Sequence, residues 1–179
     1  MVRTLVAACF VLLLAIPALA QDEDYPKIQT TLGYANLGFF NFGGSGGTTR
    51  HSGFANQTGF NLTKTWGLEN YMGIYSLGGG VTLISDLFGG KATYRTSKFS
   101  PYALAGLGIG YFTQSTQFGT AATSKFATRF GGGVDIPISD SLSWKVEVSR
   151  MNFKLQTTPD SSWTSGTNIA TGIVITLAQ

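Results

Sequence analysis

Residues 101–113 read Pro-Tyr-Ala-Leu-Ala-Gly-Leu-Gly-Ile-Gly-Tyr-Phe-Thr. Ala103, Ala105, Leu107, Ile109 and Tyr111 share one parity, whereas Tyr102, Leu104, Gly106, Gly108 and Gly110 share the other. Successive side chains of a strand point to opposite faces. The stretch is therefore a strand with one apolar wall and one wall that ends nearly bare. A helix is excluded, because the apolar positions recur every second residue and alternate glycines would weaken each turn.

The same period of two recurs on both sides. Residues 27–37 set Ile28, Leu32 and Tyr34 against Gln29, Thr31 and Gly33. Residues 53–62 set Phe54, Phe60 and Leu62 against Ala55, Gln57, Gly59 and Asn61, and residues 66–75 set Leu68, Met72 and Ile74 against Glu69, Tyr71 and Tyr75. Residues 82–95 end with Phe88, Ala92 and Tyr94 opposite Lys91, Thr93 and Arg95. Residues 126–138 oppose Phe130, Val134, Ile136 and Ile138 to Arg129, Gly131, Gly133 and Asp135. Residues 142–153 oppose Trp144, Val146 and Val148 to Lys145, Glu147 and Ser149. Residues 169–177 oppose Ile169, Ile173, Ile175 and Leu177 to Ala170, Gly172 and Thr176. Repeated alternation at regular spacing predicts an all-β antiparallel meander.

The breaks between these segments alternate. Residues 38–52, 76–81, 114–124 and 156–166 are rich in Gly, Ser and Thr and read as long loops; residues 63–65, 96–100 and 139–141 read as tight turns. Short turns at one end and long loops at the other suit a barrel inserted through a membrane from one side. Strands of about 9–11 residues cross a bilayer core when tilted.

The chain begins as an exported protein does. Arg3 precedes an apolar run over residues 5–16, Pro17 breaks it, and Ala18-Leu19-Ala20 is a small-x-small cleavage site. The expected organisation is a signal peptide over residues 1–20, a short acidic tail over 21–26 and an outer-membrane barrel over 27–179. Cys9 is the only cysteine, so the 159 residues after the leader offer neither a disulfide nor a thiol nucleophile. Charged residues make up 12 % of the chain, against roughly 25 % in soluble domains. A net charge of +3 spread along the chain argues against nucleic acid as a partner.

Parity alone does not say which face points inward. The polar parity is poor in the Lys and Glu that a water-facing surface carries, so the apolar parity is assigned to lipid. Glu69, Lys91, Arg129, Asp135, Lys145 and Glu147 then fall inside as a barrel-interior polar network. Trp66, Tyr94, Tyr102 and Trp144, with Phe99, lie near the short-turn ends, where one girdle of interfacial aromatics belongs. In hydrocarbon every backbone group must be bonded within the protein, so the sheet must close on itself. The alternate glycines of residues 106–110 are expected to leave room for Arg129 and Lys145.

These residues resemble bacterial outer-membrane β-barrel domains of the OmpA and opacity-protein type. The resemblance rests on Gly59-Phe60-Asn61-Leu62 leading to Trp66-Gly67-Leu68, on residues 88–95 (Phe-Gly-Gly-Lys-Ala-Thr-Tyr-Arg), on Ser100-Pro101-Tyr102-Ala103 and on residues 130–136 (Phe-Gly-Gly-Gly-Val-Asp-Ile). Residues 171–177 are similar to the family's closing strand, although such chains commonly end on an aromatic where this one has Leu177. The resemblance implies an eight-stranded up-and-down transmembrane barrel with periplasmic termini and outward loops. Its partners would be outer-membrane lipid, the outer-membrane assembly machinery and a surface ligand held by the loops, with the barrel a monomer.

Little in the sequence points to chemistry. His51 is the only histidine and sits beside Ser52, where a hydrolytic pair would lack a rigid frame and an orienting third group. One histidine makes a transition-metal site improbable, and no cofactor is expected. Gly89-Gly90-Lys91 lacks the remaining residues of a phosphate loop. The expected function is a small non-enzymatic barrel of the outer membrane, with an envelope or surface-contact role and at most a narrow pore. The alternatives are a lipid-modifying enzyme built on His51, and a secreted lipocalin-like binder whose apolar parity lines a cavity.

Overall fold

The computed structural model describes residues 25–40, 48–117, 119–156 and 161–178. The signal peptide, most of the acidic tail, and Phe42 and Phe118 lie outside the described residues. Eight strands are present: β1 (Ile28–Phe40), β2 (Thr48–Asn61), β3 (Trp66–Gly78), β4 (Val81–Thr93), β5 (Ser100–Thr116), β6 (Gly119–Pro137), β7 (Leu142–Gln156) and β8 (Ser161–Ala178). Each pairs antiparallel with its neighbours in sequence, and β1 also pairs with β8, which closes the barrel. Both described ends are tied into one rim. Lys27 N–H donates to Ala178 O at 2.7 Å, and Tyr25 Oη donates to Leu62 O at 3.0 Å. This rim, which also carries the turns after β2, β4 and β6, is the terminal end; the other is the hairpin end.

The long loops expected at the hairpin end are largely strand. Where residues 76–81 read as a loop, β3 runs to Gly78 and β4 begins at Val81. Only Gly79 and Gly80 intervene, and φ is +80°, +59° and +76° at Gly78, Gly79 and Gly80, which side chains rarely tolerate. Where residues 114–124 read as a loop, β5 and β6 remain paired out to Thr116↔Gly119. Where residues 156–166 read as a loop, β7 and β8 remain paired out to Gln156↔Ser161. The first connection shrinks likewise, because β1 reaches Phe40 and β2 starts at Thr48. The physical reason lies in the environment. Beyond the barrel wall both faces of a two-stranded ribbon meet water, so residues 119–124 are exposed at every position and the alternation that marks a strand disappears.

Within the wall the parity is strict. Leu32, Phe54, Met72, Phe88, Leu107, Phe130, Val148 and Ile173 all point outward and are exposed. The lipocalin-like alternative, which needs this parity inside, fails on that orientation. The interior has two tiers. Towards the hairpin end Leu37, Tyr75, Leu83, Phe112, Met151 and Phe153 form an apolar cluster, with Phe112 and Phe153 edge to face at 5.6 Å. Towards the terminal end the interior is charged.

At two of the seams glycine faces glycine. Gly33 pairs with Gly172 across β1 and β8, and Gly89 pairs with Gly106 across β4 and β5. A Cβ on Gly33 would lie 2.2 Å from Thr171 O, and one on Gly89 would lie 2.0 Å from Ala105 O. The strands approach too closely there for any side chain, as at the corners of a small barrel. With four strands between them in either direction, the two seams lie on opposite sides of the barrel. Of the inward glycines of β5, Gly106 lies opposite Arg129, whereas Gly108 and Gly110 serve other neighbours. The space over Gly110 is filled by the Phe153 ring, 2.6 Å from where a Cβ would sit, and that over Gly108 by the β4 backbone.

Candidate functional site

The charged tier is assembled from side chains on β2 to β8. Glu147, on β7, is wholly buried. It accepts hydrogen bonds from Gln57 Nε2 at 3.2 Å, Tyr102 Oη at 3.1 Å and Ser149 Oγ at 3.2 Å. Arg129 Nη2 closes the set with a short charge-assisted bond. The same guanidinium reaches Glu69 Oε1 at 3.2 Å through Nη1 and lies 3.9 Å above the Tyr71 ring. Lys91 is 3.5 Å from both Glu69 Oε2 and Asp135 Oδ2. Lys145 donates to Gln57 Oε1 at 2.7 Å and stands 3.8 Å from Glu69 and from Asp135.

Three cations and three carboxylates thus share one compartment, so its net charge is zero. That balance matters, because a lone charge in a dry interior is strongly unfavourable and a paired, hydrogen-bonded one is not. Asp135 Oδ1 is buried without a hydrogen bond and is held by Lys145 through charge alone. Above the charges, Tyr75 Oη donates to Asn168 Oδ1 at 3.0 Å and Asn168 Nδ2 donates to Tyr71 Oη at 3.3 Å, while the two tyrosine hydroxyls bond each other. This layer joins the charged tier to the apolar cluster. Below the charges, a vestibule of about 370 Å³ opens at the terminal end between Arg95, Ser100, Asp135, Ser139 and Thr176.

The structure brings Glu69, Lys91, Arg129, Asp135, Lys145 and Glu147 together, all buried. It adds Gln57, Tyr71, Ser149 and Asn168, which sequence reasoning did not single out. Their parity was the available signal, since each shares the inward face of its strand. Trp66, Tyr94 and Trp144 are exposed on the outer surface near the terminal end, and Trp144 Nε1 donates to Thr171 Oγ1 at 2.8 Å.

Tyr102 corrects the expectation of an interfacial aromatic. It is only 6 % exposed, its ring lies 4.1 Å beneath Lys91 Nζ, and its hydroxyl serves Glu147. The reason is parity: Tyr102 shares the face of Leu104 and Gly106, and nearness to the rim does not outweigh that. The ring fits because Gly133 opposite has no Cβ, which would come within 2.5 Å of Tyr102 Oη. His51 and Ser52 belong to β2 rather than to a loop, and alternation sends them to opposite faces. His51 is buried inward, and Ser52 Oγ bonds Tyr34 Oη at 2.7 Å on the outer surface. They do not form a hydrolytic pair.

A closed sheet with an apolar outer belt, aromatic residues at one rim and a satisfied polar interior defines a transmembrane β-barrel. The model of the outer membrane protein beta-barrel domain matches residues 6–175, and the chain belongs to that family. The family is one of the bacterial outer membrane, and the eight strands are its membrane-spanning elements. No curated protein matches the chain in sequence.

Among solved structures the barrel is similar to neisserial surface protein A, with a TM-score of 0.71 at 10 % identity over 87 % of this chain and 100 % of that one. It is also similar to the N-terminal barrel domain of Pseudomonas aeruginosa OprF, with a TM-score of 0.53 at 14 % identity over 82 % and 97 % of the two chains. Outer membrane protein W of E. coli gives 0.52 at 14 % identity over 87 % and 100 %. At such identities the likeness is one of fold.

Proposed function

We propose that this protein is a non-enzymatic outer-membrane barrel whose lumen is a structural plug and whose contacts are made by the ribbons at the hairpin end. The observation that carries the reading is the filled interior. A net-neutral set of six charges spans the lumen beneath a layer of large apolar side chains. Every cation in it is engaged by a carboxylate, so none stands ready to attract a passing solute. The reading gives the barrel export through the leader at residues 1–20, termini in the periplasm, and the β5–β6 and β7–β8 ribbons facing outward. The separation of His51 from Ser52 supports a role without catalysis.

Planar-bilayer recording of the purified mature barrel tests the plug directly. The expected result is no steady conductance at moderate voltage. A stable open level in most insertions would overturn the reading of the lumen as closed.

A further inference from the structure

One carboxylate lies on the wrong side of the wall. Asp86 is on β4 with its side chain exposed on the outer face, between outward Ile84 and Phe88. Its cross-strand neighbours are Met72 on β3 and Ile109 on β5, both apolar and exposed. Met72 lies six positions beyond Trp66 along β3. At about 3.3 Å per residue and a tilt of roughly 35–45°, that places Asp86 about 15 Å above the aromatic rim, near the middle of an apolar band about 25 Å tall. Ionisable side chains at that depth are costly and call for a named partner.

Half of that partner is present. Asn70 Nδ2 donates to Asp86 Oδ1 at 2.7 Å. The pair remains half-used, since a carboxamide carries two N–H donors and a carboxylate two acceptor oxygens. Among the described residues, neither the second N–H nor Oδ2 finds a bond. The unused halves are one donor and one acceptor on a side-chain pair exposed on the outer face. That is a self-complementary edge.

We infer that the outer face of β3 and β4 is a homodimer interface centred on Asn70 and Asp86. Two copies inserted in one membrane share the same depth and direction, so a two-fold axis along the membrane normal brings the two Asn70–Asp86 pairs face to face. In an isologous contact each residue meets the other's counterpart. Each Asn70 then gives its second N–H to the partner's Asp86 Oδ2. The result is a closed ring of four bonds, two within chains and two between them, with the carboxylates at opposite corners and a donor on each side.

The surroundings suit close approach. Gly90 is the next outward position after Phe88, and a Cβ there would touch nothing within 4 Å, so the surface is open beside the pair. Leu68, Met72, Ile84 and Phe88 supply the apolar remainder. The inference requires only that the outer face meets lipid; it does not rest on the role proposed for the lumen or ribbons. It departs from the expectation of a monomer.

The test is step-counting by single-molecule photobleaching of the mature barrel in lipid vesicles at high lipid excess, with one dye on Ser139→Cys in a terminal-end turn. The expected result is two steps for the parent and one for Asp86→Leu, with roughly tenfold weaker association, the scale of one or two intramembrane hydrogen bonds. Gly90→Trp, which blocks the face without touching the pair, should also give one step, and Val148→Trp on β7 should leave two. Retained heat-modifiable gel mobility shows that each variant is still a closed barrel. A single-step parent at every dilution, or a two-step Asp86→Leu, would overturn the inference. So would dissociation by Val148→Trp but not by Gly90→Trp, which would put the interface elsewhere. A parent recovered only with a different membrane protein on this face would also overturn it.

Discussion

Arg129 is held by Glu147, Glu69, Ser149 and the face of Tyr71 at once. Removing it strips two buried carboxylates of a shared cation. Breaking a buried ion pair from one side costs about 3–5 kcal/mol, because the abandoned charge stays buried. Arg129→Met should therefore lower the stability of the barrel by about that much, read from urea unfolding in vesicles by tryptophan fluorescence. An exposed cation of the ribbon, Lys154, should by contrast change stability by less than about 0.5 kcal/mol when replaced by Met. Equal effects would show that the interior charges are hydrated rather than packed. At this scale the sequence was informative about sides and silent about partners. Lys91, Arg129 and Glu147 share an inward parity legible in the chain, but they come from β4, β6 and β7, and which meets which depends on register. Tyr102 shows the same limit from the other direction: its parity pointed inward while its nearness to a rim suggested lipid, and parity prevailed.

The strands themselves were legible wherever one face met lipid. Residues 66–75 and 142–153 alternate cleanly and lie within β3 and β7. The same elements run on past the points where alternation stops, to Gly78 and Gln156, because a ribbon in water has no apolar face to mark. Length was therefore understated at the hairpin end and slightly overstated at the terminal end, where β4 stops at Thr93 and leaves Tyr94 and Arg95 outside the strand. The Gly-rich stretch of β4 offers a test at the scale of the element. Gly89→Ala would put a methyl 2.0 Å from a backbone oxygen of β5, which no rotamer change relieves, whereas Gly90→Ala meets nothing within 4 Å. Gly89→Ala should lose the heat-modifiable shift of a closed barrel; Gly90→Ala should keep it. If both keep it, the β4–β5 seam is wider than the structure shows.

For the whole molecule the question is orientation. The terminal end carries both described chain ends and three turns, and the hairpin end carries ribbons that project beyond the wall. A barrel inserted from the periplasm leaves its chain ends there. On intact cells a membrane-impermeant maleimide should label Ala121→Cys, on the β6 part of the ribbon, and should label Ser139→Cys only after the outer membrane is permeabilised. The opposite pattern would invert the barrel and with it the side on which the ribbons work.

The chain alone determined that eight segments alternate, that one parity is lipid-like, and that Glu69, Lys91, Arg129, Asp135, Lys145 and Glu147 lie on the other. Those are local properties of a backbone whose side chains flip at every residue, so they are written in spacing. Tertiary structure decided what spacing does not carry. Closure and register set the bonds among Arg129, Glu69 and Glu147, turned supposed loops into paired ribbon, and drew Tyr102 over Gly133. They also set Asn70 one strand from Asp86, so that one oxygen of that outward carboxylate is bonded and the other is not.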